Sequence, residues 1–276
     1  MKTLEKSILL RRIIMISSLS NPKVKEIQKL QNNQRYRKQS QKFVVEGWRL
    51  IKEIPIQQIE CIYVQTSQME KLTSLELNGD WDIEQVSDTV MKAISNETTS
   101  QGVLATVHMK PPSEQGSLPL NPLIIALENV QDPGNLGTIL RTADAADVDM
   151  VILSKGTVDL YNPKVVKATM GAIFRLNILR DMDLYSYVKD LKEKGIQIFA
   201  AHLDGTKNHY EGSYIAGTCF LMGNEGDGLS KDLCGLATEY IKIPMRSEAE
   251  SLNVAVATSI LVYEAIRQRH TNAFKI

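Results

Sequence analysis

The stretch PLIIALENVQDPGNLGTILRTADAADVDMVILSK, Pro122 to Lys155, decides the fold. Its two ends, PLIIALE and DMVILSK, are short and almost wholly apolar, the pattern of strands buried on both faces. Between them GTILRTADAAD has the period of a helix, and Asp132-Pro133-Gly134-Asn135 supplies turn chemistry ahead of it. Strand, helical crossover and strand predict a parallel sheet. The alternation continues with a helix over NPKVVKATMGAIF, a strand LNILRD and a helix LYSYVKDLKEKG. Strands IQIFAAHLD, TCFLMGN and EYIKIPM follow, and SLNVAVATSILVYEAIRQRH is a long closing helix.

Working back from Pro122, KPPSEQGSLPLNP is rich in Pro, Ser and Gly and predicts a linker over 110–122. A smaller α/β unit is expected over 17–109. Ser20 is the expected N-cap of a basic helix, NPKVKEIQKLQNNQ, with Val24, Ile27, Leu30 and Gln31 on its inner face. A polar, basic loop then leads into the strand KFVVEG. Helices are expected from Trp48 to about Ile54, from Ser67 to Leu77 and from Ser87 to Ile94. IECIYVQ, WDIEQVS and GVLATVHM read as strands. Residues 1–16 read as an N-terminal extension without a signal-peptide core, and Met15 is an alternative start.

At 276 residues the chain is long enough for one large or two ordinary domains, and 43% hydrophobic with 23% charged residues is the composition of a globular protein. The 32 basic and 32 acidic residues cancel, so no global field points to nucleic acid. The distribution is less even: Asn21 to Glu53 holds nine Lys/Arg against three acidic residues. Cys61, Cys219 and Cys234 are odd in number and form no CxxC pair. That argues against a disulfide framework or a zinc site and for a reducing, cytoplasmic setting. His108, His202, His209 and His270 lack metal-ligand spacing, so no metal is expected. No apolar run approaches the ~20 residues of a membrane span, so no membrane partner is expected.

Three segments that each follow an apolar strand carry the candidate chemistry. In the first, a helix starting at Leu136 or Gly137 would place Arg141 just over one turn in, leaning back toward Asn135. The second, Gly223-Asn224-Glu225-Gly226-Asp227-Gly228, is a glycine-dense loop in which Glu225 could hold a cation such as Arg141. It is neither a dinucleotide-binding GxGxxG opening a helix nor a GxxxxGK[ST] phosphate loop. In the third, Ser251 is the expected N-cap of the closing helix, with Asn253 and free backbone N–H groups beside it. Taken singly these features read as a surface arginine, a plain turn and a capping signal.

Taken together they resemble the three motifs of the SpoU (TrmH-type) branch of the SPOUT RNA methyltransferases. Asn135, Gly137, Arg141 and Ala143 carry the first motif; Gly223, Glu225, Gly228, Leu229 and Ser230 carry the second. Ile243, Pro244, Met245, Ser251, Leu252, Asn253 and the following alanines carry the third. The resemblance runs from about Leu123 to Arg269. SLSNPKVKEIQKL and KFVVEGWRLIKE resemble the substrate-binding domain often fused ahead of it. Met245-Arg246-Ser247-Glu248 departs from the pattern, since many relatives carry a glycine there.

The resemblance implies an α/β protein with a small N-terminal RNA-binding domain and a catalytic parallel-sheet domain, 123–276, tied in a deep trefoil knot. It implies S-adenosylmethionine held largely by backbone groups of Met222, Gly223, Ile243, Met245 and Leu252, with Ile243 and Leu252 sandwiching the adenine. It implies a homodimer with the site completed across the interface. The implied reaction methylates a ribose 2′-hydroxyl of RNA, with ribosomal RNA favoured over tRNA by the large N-terminal domain. Arg141 would contact the acceptor and aid deprotonation. A guanidinium with a pKa above ~12 is a poor ordinary base, so base and electrostatic positioner both stay open. Asn135 would orient the nucleotide or the arginine, Glu225 would brace the site, and Ser251 and Asn253 would fix the third loop. Lys23, Lys25, Lys29, Arg35, Arg37, Lys38 and Lys42 would contact the RNA backbone, with Tyr36 as a stacking ring. The competing readings are a non-catalytic RNA-binding or ribosome-assembly factor on the same fold, and a tRNA ribose methyltransferase.

Overall fold

The computed structural model describes residues 15–74, 81–111, 118–203, 205–224, 226–246 and 251–273. Most of the extension, the middle of the linker and Glu225 therefore lie outside the described residues. The chain divides into two compact units, residues 1–111 with 161–174, and residues 112–160 with 175–276. The first unit is thus not contiguous in sequence, unlike the expected domain over 17–109.

In the first unit, helix α1 (Pro22–Asn32) begins one residue later than expected, because the side chain of Asn21, not Ser20, accepts the Lys23 N–H at 2.9 Å. The stretch expected to be a basic loop is helical. Asn33 accepts the Tyr36 N–H at 2.9 Å and starts α2 (Gln34–Ser40), which stops where Gln41 turns left-handed at φ 54°. The elements β1 (Lys42–Glu46), α3 (Trp48–Ile51), β2 (Ile59–Gln65), α4 (Met69–Thr73), β3 (Asp82–Val86), α5 (Asp88–Ile94) and β4 (Val103–His108) follow. They form a four-stranded sheet of order β1-β4-β2-β3. Val24, Ile27 and Leu30 of α1 pack with Val90, Met91 and Ile94 of α5 over Val44, Tyr63 and Leu104. Helix α7 (Pro163–Thr169) packs against β1 in this unit, and the Phe43 ring meets Tyr161 at a tilt of 44°, with centroids 4.6 Å apart. The helix expected over NPKVVKATMGAIF breaks where Met170 and Gly171 take φ of 51° and 96°, and resumes as α8 (Ala172–Arg175).

The second unit contains β5 (Leu123–Leu127), α6 (Pro133–Ala145), β6 (Met150–Ser154), β7 (Ile178–Met182), α9 (Leu184–Glu193), β8 (Gln197–Ala201), β9 (Lys207–Asn208), β10 (Thr218–Met222), α10 (Lys231–Cys234), β11 (Glu239–Lys242) and α11 (Val254–Ala273). Its seven strands are all parallel, in the order β7-β6-β5-β10-β8-β11-β9. Late strands sit inside the sheet: β10 between β5 and β8, β11 between β8 and β9. Because side chains alternate along a strand, Ile124, Ala126, Ile198, Ala200, Cys219 and Leu221 share a core with Leu184, Val188 and Leu191 of α9. Phe199 and Phe220 meet Tyr214 on the other face, with ring centroids 4.8 and 5.1 Å away. The Arg269 guanidinium of α11 donates to the carbonyls of Tyr214, Asn121, Pro122 and Ala216 at 2.9 to 3.2 Å, tying the last helix to the start of β5. Among the described residues no helix is long and apolar enough to cross a membrane.

Candidate active site

The C-terminal ends of β8, β10 and β11 open into one cavity of about 760 Å³. Open parallel sheets bind ligands in this place, at the carboxyl ends of their strands. Ala201, His202 and Leu203 form one wall, Met222 to Asn224 with Gly226 and Gly228 a second, and Ile241 to Met245 a third. Ser251, Leu252 and Asn253 close it at the start of α11.

The glycine loop is shaped by backbone contacts. Asn224 and Gly228 exchange N–H···O bonds, both 3.0 Å. A Cβ on Gly223 would lie 2.2 Å from the Gly228 carbonyl carbon, which leaves room only for glycine. The Asn224 carboxamide oxygen accepts the N–H groups of Gly226 (2.7 Å) and Asp227 (3.2 Å), and its NH₂ donates to the Asn129 carbonyl at 2.7 Å. The Ser230 N–H donates to a Glu128 carboxylate oxygen at 2.7 Å. The loop is thereby fixed to the end of β5.

The first and third segments meet through a side-chain pair. The Asn253 NH₂ donates to the Asn135 carboxamide oxygen at 2.8 Å, and the Asn253 oxygen accepts the N–H groups of Ala255 and Val256. Asn253, not Ser251, therefore caps α11, because the helix starts at Val254. Ser251 lines the cavity instead. The hydroxyls of Thr142 and Ser259 lie 3.1 Å apart and join α6 to α11 further along.

The structure brings Met222, Gly223, Ile243, Met245, Leu252, Ser251 and Asn253 together around this cavity, with Asn135 attached through Asn253. Arg141 is the exception. Helix α6 begins at Pro133, capped by Asp132, so it starts earlier than expected. Six residues at 3.6 per turn then set Arg141 about 120° around the helix from Asn135. It is exposed, does not line the cavity, and has no hydrogen-bond or ion-pair partner among the described residues. The wall from Ala201 to Leu203 had no sequence signal, since it follows an ordinary strand. Asn224 had one, an asparagine beside glycines in a turn.

The seven basic residues expected at the RNA separate into three groups. Arg37 is buried, and its guanidinium donates to the carbonyls of Leu30 (2.7 Å) and Gln31 (3.1 Å) at the end of α1, so it is a structural residue. Lys23 pairs with Glu84 at 2.5 Å, and Lys42 pairs with Glu60 and with Glu26 at 3.4 Å. Burial acts to lower both ammonium pKa values, but the hydrogen bonds to Glu84 and Glu60 together with the surrounding negative charge more than offset it, and both are raised. Lys25, Lys29, Arg35 and Lys38 remain exposed, with the Lys29 ammonium 5.6 Å over the Tyr36 ring. Among the described residues no group of three His, Cys, Asp or Glu side chains is placed to hold a metal.

Residues 122–263 match the SpoU rRNA Methylase family, and residues 21–105 match the MRM3-like substrate binding domain. The 23S rRNA (guanosine(2553)-2′-O)-methyltransferase RlmP of Bacillus subtilis is 33% identical over 90% of this chain and 97% of its own length. An rRNA methyltransferase structure from Sinorhizobium meliloti superposes with a TM-score of 0.82 at 30% identity, over 93% of this chain and 98% of that one. An S-adenosylmethionine-bound form from the same organism gives 0.77 at 30% identity, over 92% and 98%. The chain belongs to the SpoU rRNA methylase family.

Proposed function

We propose that this chain transfers the methyl group of S-adenosylmethionine to a ribose 2′-hydroxyl of ribosomal RNA. The observation that carries this reading is the convergence of the second and third motif segments on one 760 Å³ cavity, in a chain whose Bacillus subtilis relative is a 23S rRNA 2′-O-methyltransferase. The residues fit the cofactor: a glycine loop at Gly223 that admits close backbone approach, and apolar Ile243 and Leu252 for an adenine. When bound, the cofactor supplies a methyl group already activated on a sulfonium. The chain's task is then to hold the hydroxyl in line and help remove its proton. Gly223 and Leu252 define the cofactor's place. The Asn253–Asn135 pair locks the third loop to α6, and Arg141 meets the acceptor ribose or its phosphate.

Arg141 reaches its role in a homodimer. Val256, Ile260 and Tyr263 recur at helical spacing on α11, and Val256 and Tyr263 are 48% and 51% exposed. A second copy seated on that face completes the site. The interior positions of β10 and β11 suit a chain threaded into a trefoil knot, a rare exception to ordinary topology. An rRNA substrate and three unpaired cysteines suit the cytoplasm.

The test is methyl transfer from labelled S-adenosylmethionine to separated rRNA and tRNA from cells lacking this gene. Label at one rRNA nucleotide, resistant to alkaline cleavage, is expected. Arg141→Ala should reduce kcat by about 10²–10³-fold while S-adenosylhomocysteine still binds. Label in tRNA alone overturns the rRNA assignment. No label and no cofactor binding leaves the non-catalytic RNA-binding reading.

A further inference from the structure

We propose that a second cavity, within the N-terminal unit, holds one unpaired nucleotide of the substrate RNA outside the methylation site. The proposal rests on the RNA reading above. The cavity encloses about 490 Å³ between α1, β1, the segment after α5, and α7. That volume exceeds what a nucleotide needs, and its lining is mixed in the way small-molecule sites are, with an apolar floor and a few polar groups. Val44, Leu50 and Val166 are buried and form the floor.

The walls are fixed before any ligand arrives. Phe43 packs between Tyr161 at 4.6 Å and Phe174 at 6.2 Å, and the Lys167 ammonium pairs with Glu97 at 2.6 Å. The Glu46 carboxylate is occupied, accepting from the Ser95 hydroxyl and from the Asn96 N–H at 2.9 Å. The Asn96 carboxamide and the Lys164 ammonium line the same cavity and have no partner among the described residues. A carboxamide with a free donor and a free acceptor can read a base edge, and an ammonium suits a phosphate.

The charge balance selects among ligands. Lys164 and Lys167 face Glu46 and Glu97, so the cavity is close to neutral. A free nucleoside triphosphate would bring more negative charge than it can match, whereas one nucleotide of a chain brings a single phosphate. A metal ion would need carboxylate oxygens that are already hydrogen-bonded. Gln31 and Asn32 of the cavity end α1, directly before α2, and Lys29 and Arg35 are exposed on these two helices beside them. The RNA backbone would enter past those cations.

The test measures binding of labelled rRNA to the full chain against salt concentration. Asn96→Ala should weaken binding by about five- to tenfold with the salt slope unchanged. Lys164→Ala should weaken it and lower the slope by about one. Both residues are exposed, so thermal unfolding should match the wild type, and S-adenosylhomocysteine affinity should not move. Wild-type rRNA binding with both variants unaffected overturns the pocket and leaves the methyltransferase reading intact. A wild type that binds neither rRNA nor tRNA overturns that reading and the pocket together.

Discussion

The loop after β10 builds its shape from backbone, while the α1–α2 region turns much of its charge on itself. In the loop, Gly223 lets one strand of backbone pass 2.2 Å from where a Cβ would stand, and Asn224 closes the turn with three hydrogen bonds. Around α1 and α2, Arg37 finishes a helix, and Lys23 and Lys42 are matched by carboxylates. Backbone constraints tolerate one residue type and so survive as readable motifs. A cation's role depends on which neighbour it finds, and the count of lysines and arginines does not reveal that.

Substitutions can break or sharpen this contrast. The largest expected effect is at Gly223→Ala, which must displace the Gly228 backbone. Calorimetry with S-adenosylhomocysteine should show affinity falling by about a hundredfold, as misplacement near 1 Å costs. Unchanged affinity would mean that the loop is not set by backbone contact. Next is the pair Arg37→Met and Arg35→Met. The first strands two buried carbonyls and should cost about 2–3 kcal/mol in urea unfolding. The second should stay within ~0.5 kcal/mol and weaken rRNA binding only modestly. Equal stability losses would erase the distinction between the two arginines. The smallest effect concerns the thiols. Burial pushes Cys61 up to about 12 and Cys219 higher still, whereas Cys234 is half-buried and raised less. Iodoacetamide followed by mass spectrometry should mark Cys234 first, and early labelling of Cys61 would contradict its packing.

The strands of the parallel sheet were legible because β5, β6 and β10 are continuous apolar runs. Their order was not. Nothing local in β10 tells it to lie between β5 and β8, since that is decided by contacts distant in sequence. Helix α2 was missed because QRYRKQS has no apolar period, and only the Asn33 cap betrays it. The helix starts at Pro133 and Val254 were displaced by two to four residues, enough to move Arg141 off the face of Asn135 and to exchange the roles of Ser251 and Asn253. The cavity residues themselves were recovered because they sit in the motif segments. The wall at Ala201 to Leu203 escaped because it contributes position and not chemistry.

Arg269 gives the C-terminal unit a direction in time. Its guanidinium closes carbonyls of Asn121 and Pro122, which leave the ribosome long before it does. Until α11 emerges, the start of β5 lacks its clasp and β10 lacks the packing of that helix. The sheet is therefore secured only once α11 has been made, and an interrupted chain ending before α11 would lack that packing and be more prone to aggregation. A late helix of this unit is the part that secures the first strand of its parallel sheet.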